Sequence, residues 1–199
     1  MDNFNMTLLY VLFSYLMGSI SGSLLLGKFW KVDIRGMGSG NAGGTNALRT
    51  VGVLFALLTF IIDLSKGIIP AYLSQQHENL MLICGFSAML GHVYPIFYNF
   101  KGGKGAGTLL GVLIIANPQS ILFVVGTWIA MLLTTGFVGL STIIACFVLV
   151  VYSFYSSISF ILFSIIAFIF ILFTHRSNIR RMIKGEENQF KKIMIFKKK

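Results

Sequence analysis

The chain has 199 residues, 56% of them hydrophobic and only 11% charged, with a mean hydropathy of +0.83. A soluble domain carries about 25% charged residues, so this composition excludes a water-exposed globular fold. It predicts one integral membrane domain over residues 1–199, built from apolar segments of about 20 residues, shorter where a helix is broken. The net charge of +10 falls in three places, Lys28 to Arg49, Lys101 to Lys104 and Arg176 to Lys199, with Lys66 as the outlier. Short basic loops between apolar runs mark the cytoplasmic side, and this placement argues against nucleic acid as a partner.

The first apolar run covers about 4–27. No basic region precedes it and no small-x-small cleavage site follows, so it is read as a retained span and not as a signal peptide. After it comes Asp33-Ile34-Arg35-Gly36-Met37-Gly38-Ser39-Gly40-Asn41-Ala42-Gly43-Gly44-Thr45-Asn46-Ala47-Leu48-Arg49, with five glycines in nine residues. Glycines allow close backbone approach, so successive N–H groups can converge on an anion. Ser39, Asn41, Thr45 and Asn46 add short polar groups, and Arg35 and Arg49 add charge. Thr45 or Asn46 is expected to cap the second helix, whose N-terminus favours an anion. An ordinary flexible loop has no need of this polar spacing.

The second run, about 51–73, contains Asp63-Leu64-Ser65-Lys66-Gly67. A charge within a span costs at least about 2.5–3.5 kcal/mol. Asp63 and Lys66 are one helical turn apart and are expected to pair as structural support. A polar break at 74–79 leads to the third run, about 80–98, which ends in Gly91-His92-Val93-Tyr94-Pro95. Lys101-Gly102-Gly103-Lys104-Gly105 follows. It superficially resembles a nucleotide-binding loop but fails that test, because Lys104 precedes Gly105 instead of Ser or Thr. Interleaved glycines exceed what a charge anchor requires, so a second anion site is expected. His92, at the edge of a span, reads by itself as a packed histidine.

Runs at about 106–117, 119–133, 138–152 and 156–174 complete the set, separated by Asn117-Pro118, Thr135-Gly136 and Ser153 to Ser157. Their continuity reads as helices and not barrel strands. Lys and Arg fill the loops after the first and third runs and the tail from about 176, whereas the loops after the second, fourth and sixth hold none. Seven spans with the N-terminus outside and the C-terminus cytoplasmic satisfy that alternation. The short fourth and fifth runs leave five full spans as the alternative. Gly18 and Gly22, then Gly103, Gly107 and Gly111, recur at four-residue spacing and predict close helix packing. Cys84 and Cys146 lie in apolar runs as core residues, and no metal or cofactor site is indicated.

The last motif is Thr174-His175-Arg176-Ser177-Asn178-Ile179-Arg180-Arg181. His175 and Asn178 share a helical face at the cytoplasmic end of the last span. The topology puts this motif and both glycine-rich segments on one side of the membrane. Two cationic, glycine-rich sites suit two phosphates, or one phosphate and an oxyanion. With no Ser-His-Asp set and no paired carboxylates, the chemistry rests on positioning and charge stabilisation.

At these residues the chain resembles the bacterial acyl-phosphate-dependent glycerol-3-phosphate acyltransferases (PlsY). The resemblance covers nearly the whole chain. It is carried by Gly18-Ser19-Ile20, Gly38-Ser39-Gly40-Asn41 with Thr45-Asn46 and Arg49, Asp63-x-x-Lys66-Gly67, Gly91-His92-x-x-Pro95, Lys101-Gly102-Gly103-Lys104-Gly105 and His175-x-x-Asn178-x-x-Arg181, with Gly185, Glu186 and Phe190 trailing. It implies an all-α, seven-span multi-pass protein of the bacterial inner membrane whose active site faces the cytoplasm. The implied reaction moves a fatty acyl chain from acyl phosphate to the 1-hydroxyl of glycerol 3-phosphate, giving lysophosphatidate and phosphate without a cofactor. It also implies functional coupling to the enzyme that makes acyl phosphate.

By the same resemblance, Ser39, Gly40, Asn41, Gly43, Thr45 and Asn46 match the acyl-phosphate loop. Arg49, Lys104, His175 and Asn178 match residues holding glycerol 3-phosphate. Ser39, Lys104, His175 and Asn178 form the catalytic set, supported by Asp63, Lys66, His92, Lys101, Gly102, Gly103 and Arg181. Two departures stand out. Gly44 replaces a usual alanine, and Gly139 replaces a frequent serine, for which Ser141 or Thr142 is a candidate substitute. A transporter of organic phosphates, using Asp63 and Lys66 in broken helices, and a membrane scaffold are the competing readings.

Overall fold

A computed structural model describes residues 3–190 and 194–195. Among these the chain is helical, with no strand. It divides into two compact units, Met1–Ala116 and Asn117–Lys199.

The first unit contains α1 (Asn3–Gly18), α2 (Gly22–Trp30), α3 (Gly44–Thr50), α4 (Val53–Leu73), α5 (Glu78–Val93) and α6 (Ala106–Ala116). Short 3-10 turns at Ile34–Gly36 and Ile96–Tyr98 lie in its connections. α1 packs on α5, and α4 packs on α5 and α6. Glycine makes these contacts close. A Cβ at Gly18 would strike the Ala88 carbonyl of α5, and one at Gly91 would strike the Tyr15 carbonyl of α1. Gly67 of α4 and Gly111 of α6 likewise meet the carbonyls of Thr108 and Leu64 on each other's helix. The expected packing role thus holds for Gly18, Gly22, whose Cβ would meet the Thr59 carbonyl of α4, and Gly111, and Gly67 and Gly91 supply the reciprocal faces that the four-residue pattern does not show.

The second unit contains α7 (Ser120–Thr135), α8 (Val138–Ser153), α9 (Ile158–Thr174) and α10 (Arg176–Ile183). α8 packs on both α7 and α9, and α10 folds back on α8 and α9. The breaks carry the expected turn chemistry. Gly136 closes α7 in the left-handed region at φ 70°, and the Ser157 hydroxyl caps α9 by accepting from the Phe160 amide at 3.1 Å.

α4 and the segment Glu78–Tyr98, 21 residues each, are long and apolar enough to cross a bilayer. The pair α1 and α2 reaches that length only as a helix bent by 42°, and α9 with α10 as one bent by 54°. α6, α7 and α8 are apolar but shorter. The run at 4–27 is therefore not the single helix its hydropathy suggests, because it unwinds over Ser19, Ile20 and Ser21. Serines favour local side-chain bonds over continued helix, and here the Ser19 hydroxyl donates back to the Tyr15 carbonyl at 2.9 Å.

Candidate active site

The glycine-rich segment of the first unit is pinned, not loose. Ile34, Ala42 and Ala47 are buried and join Leu24, Phe55 and Ala56 in one apolar cluster beneath the loop. Above that base, Asn46 organises the backbone. Its Nδ2 donates to the Ile34 carbonyl at 3.1 Å and the Met37 carbonyl at 3.0 Å, and its Oδ1 accepts from the Ser39 amide at 2.9 Å. Gly38 and Gly40 then turn at φ 57° and 70°, conformations costly for a residue with a Cβ. A Cβ at Gly38 would collide with Asn46 Oδ1.

This bonding leaves the amides of Asn41, Ala42 and Gly43 without a hydrogen bond among the described residues. They lead into α3, whose last turn carries Arg49. Thr45 and Asn46 do not cap a following span. They lie inside α3, a short helix of its own whose N-cap is Gly43. The three pins within the loop, Ile34, Ala42 and Ala47, are not legible as such, since isolated alanines and an isoleucine among glycines carry no periodic signal.

The second glycine-rich segment rests on a buried polar frame. Asp63 Oδ1 lies 3.0 Å from Lys66 Nζ, 3.6 Å from His92 Nδ1 and 3.4 Å from the Gly22 amide. Lys66 Nζ also donates to the Ile20 carbonyl at 2.9 Å. The expected pair therefore exists, and it satisfies backbone groups released where α1 unwinds into α2. The Gly102 and Gly103 amides donate to the Val93 and His92 carbonyls, each at 3.1 Å. Gly103 faces the His92 ring so closely that a Cβ there would collide with Nε2. Gly103 thus packs on a side chain, and not on a helix as its spacing with Gly107 suggests. Lys104 then enters α6 through Gly105, at φ 90°. Tyr98, just before Lys101, packs on the apolar cluster under the first loop. One base therefore supports both glycine-rich segments of this unit.

In the second unit the bend between α9 and α10 falls at His175, which ends one helix and starts the other. Its Nδ1 is 2.8 Å from the Ile171 carbonyl. A carbonyl only accepts, so Nδ1 carries a proton in this contact. Asn178 Nδ2 donates to Glu187 Oε1 at 2.9 Å, and Arg181 Nε donates to Glu187 Oε2 at 2.6 Å. The carboxylate thereby fixes which way the Asn178 amide faces. Glu187 was not singled out from the sequence. The signal available was an acidic pair, Glu186-Glu187, inside a basic tail. Gly139 lies against Asn178, where a Cβ would sit 2.8–2.9 Å from Cβ, Cγ and Nδ2. The Ser141 and Thr142 hydroxyls donate to the Phe137 and Val138 carbonyls, each at 2.9 Å, and Thr142 Oγ1 also accepts from Trp128 Nε1 at 3.2 Å.

Residues 8–185 match the glycerol-3-phosphate acyltransferase family model. A glycerol-3-phosphate acyltransferase of Finegoldia magna is 42% identical over 89% of this chain and 93% of its own length. One from Aquifex aeolicus is 35% identical over 92% and 98%. Among solved structures, the glycerol 3-phosphate form of the integral membrane acyltransferase PlsY is 35% identical, covers 92% of this chain and 95% of its own, and superposes with a TM-score of 0.89. Its lysophosphatidic acid form gives 0.87 at 34% identity. A helical membrane protein with these loops, matched over nearly its full length, belongs to the PlsY family of glycerol-3-phosphate acyltransferases.

Proposed function

We propose that this protein transfers a fatty acyl group from acyl phosphate to the 1-hydroxyl of glycerol 3-phosphate at the cytoplasmic face of a bacterial inner membrane. In this reading the chain crosses seven times, with its N-terminus outside. The relatives' names support glycerol 3-phosphate as acceptor. The observation that carries the donor assignment is the Asn46-tied loop, which holds the amides of Asn41, Ala42 and Gly43 in a fixed turn with no hydrogen bond among the described residues. Converging N–H groups of this kind suit a phosphate.

The hydroxyl oxygen of glycerol 3-phosphate attacks the acyl carbonyl carbon. The bond from that carbon to the phosphate oxygen breaks, and phosphate leaves with the hydroxyl proton. Ester and inorganic phosphate balance the equation, and no acyl-enzyme forms. Ser39, Gly40, Asn41, Gly43 and Thr45 serve the acyl phosphate, with Asn46 shaping the loop that holds it. Arg49, Lys104, His175 and Asn178 serve glycerol 3-phosphate. The Nδ1 bond to the Ile171 carbonyl orients the His175 ring, and Lys104 offers charge to a phosphate. Acyl phosphate is a labile mixed anhydride, which favours coupling to the enzyme that makes it.

The test is purified protein with palmitoyl phosphate and glycerol 3-phosphate. Stoichiometric lysophosphatidate and phosphate are expected, with no product from acyl-CoA or acyl-carrier-protein donors. Lys104→Ala should lower kcat/KM by about 100-fold or more, as loss of a charge-stabilising group does. Turnover with a thioester donor would defeat the donor assignment, and a trapped acyl-enzyme would defeat direct transfer. Single cysteines at positions 41, 101 and 178 should all be labelled from the cytoplasmic side.

A further inference from the structure

We propose that His92 is a positioning residue for Lys104, acting as a ring-shaped spacer between the buried Asp63 and the Lys101-Gly102-Gly103-Lys104 segment; this rests on the reading that Lys104 takes part in acyl transfer. His92 is only 3% exposed. On one edge its Nδ1 faces Asp63 Oδ1 at 3.6 Å. On the opposite edge Nε2 sits where a Cβ of Gly103 would be. Its own carbonyl accepts from the Gly103 amide at 3.1 Å, so the residue before Lys104 is held by both the ring and the backbone of His92.

Asp63 also reaches the other side of Lys104. Its carbonyl accepts from Thr108 Oγ1 at 3.1 Å, and its Cβ is an ordinary contact distance from the Cβ position of Gly107. Lys104 is therefore bracketed, with residue 103 seated on His92 and residues 107 and 108 seated on Asp63. Asp63 is fixed in turn by Lys66. A flat ring of defined thickness, with one edge 3.6 Å from Asp63 on α4, sets the height at which the lysine backbone leaves it. A shift of about 1 Å at such a point can cost about 100-fold in rate.

The measurement is a double-variant cycle on full-length protein in detergent, assayed with palmitoyl phosphate and glycerol 3-phosphate. Gly103→Ala drives a methyl into the ring. It should raise KM for glycerol 3-phosphate about tenfold or more and leave KM for palmitoyl phosphate within about twofold. In a His92→Ala background the same methyl occupies vacated space, so adding Gly103→Ala should cost nothing further. His92→Asn keeps a donor toward Asp63 but has no atoms under Gly103, and it should tolerate Gly103→Ala equally.

Losses that multiply in the double variants overturn the proposal. So does a protein that unfolds with every residue except histidine at 92, since the ring then belongs to the fold alone. Near-normal turnover of Lys104→Ala would bring down the functional reading and this inference with it. An inactive Lys104→Ala with multiplicative losses would bring down the His92 assignment only.

Discussion

Lys66 Nζ lies 2.9 Å from the carbonyl oxygen of Ile20, a residue 46 positions earlier in the chain and in the middle of the break between α1 and α2. In a bilayer an unpaired carbonyl has no water to turn to, so a broken span must find its partners within the protein. Lys66 supplies one, and Asp63 neutralises the lysine and takes the Gly22 amide on the far side of the break. The pair thus makes an unwound segment tolerable at membrane depth. Its bonds are all internal, which weighs toward a framework role over the ion-coupling role a transporter would give it.

Lys66→Met should accordingly be among the most destabilising single changes in the first unit. It leaves both the Asp63 charge and the Ile20 carbonyl unpaired, and removing one partner of a buried pair costs about 3–5 kcal/mol. The apparent unfolding midpoint in detergent should fall, read by a thiol-reactive dye at the buried Cys84 and Cys146. Asp63→Asn combined with Lys66→Met should recover part of the loss, because no charge is then stranded. A midpoint unchanged in Lys66→Met would show that the break is held by something else.

Asn46→Ala tests the loop. It deletes three hydrogen bonds, each contributing about 1 kcal/mol net. If that energy holds the loop in its reactive shape, the loss corresponds to about 100-fold in rate. KM for acyl phosphate should rise while KM for glycerol 3-phosphate stays close to its original value. The opposite split would move the loop from donor to acceptor binding. Asn46→Asp keeps the acceptor for the Ser39 amide and loses both donors, so its defect should remain severe.

Sequence reasoning found the motifs because their residue types are rare in apolar chains. Glycine runs with lysines, and a carboxylate and an amine one turn apart inside a span, have few explanations. It placed the Asp63–Lys66 pair and the helix boundaries of α4 and α6 through α9 closely, and carried α5 past its end at Val93. It missed the unwinding at Ser19 to Ser21, since hydropathy counts side chains, and Lys66 meets a backbone carbonyl there. It read Asn46 as a ligand or cap because an asparagine's donors and acceptor carry no address. Only the fold shows all of them turned inward on Ile34, Met37 and Ser39. Glu187 was invisible for a related reason, as the turn that returns it to Asn178 leaves no periodic trace.

Gly139→Ser should lower activity in this chain even though serine is a modest change. The new Cβ would come within 2.8–2.9 Å of Asn178 Cβ, Cγ and Nδ2. Those atoms include the root of the side chain, so the whole residue must shift and not just its tip. Gly139→Ala should produce the same defect, about tenfold in kcat/KM, because the clash is with the methyl and not the hydroxyl. A serine variant that is more active than alanine would instead show the hydroxyl making a productive contact.

Glu187 gives the sharpest separation of orientation from charge. Its carboxylate binds the Asn178 amide at Oε1 and the Arg181 guanidinium at Oε2, and its side chain is 2% exposed while that of Arg181 is 27% exposed. Glu187→Gln retains an oxygen for only one of these donors and presents an NH2 to the other. If the new amide turns its oxygen to Asn178, the Arg181 contact is lost, and the guanidinium can still be solvated at its exposed edge. If the oxygen turns to Arg181, two NH2 groups face each other and Asn178 must rotate. The first arrangement costs less, so Glu187→Gln should keep KM for glycerol 3-phosphate within about threefold and lose about 1–2 kcal/mol of stability. Glu187→Ala removes the oxygen to which Asn178 Nδ2 donates. Its KM should rise well beyond that of the glutamine variant at a similar unfolding midpoint. Equal KM values for the two variants would mean that the carboxylate anchors α10 without directing the asparagine.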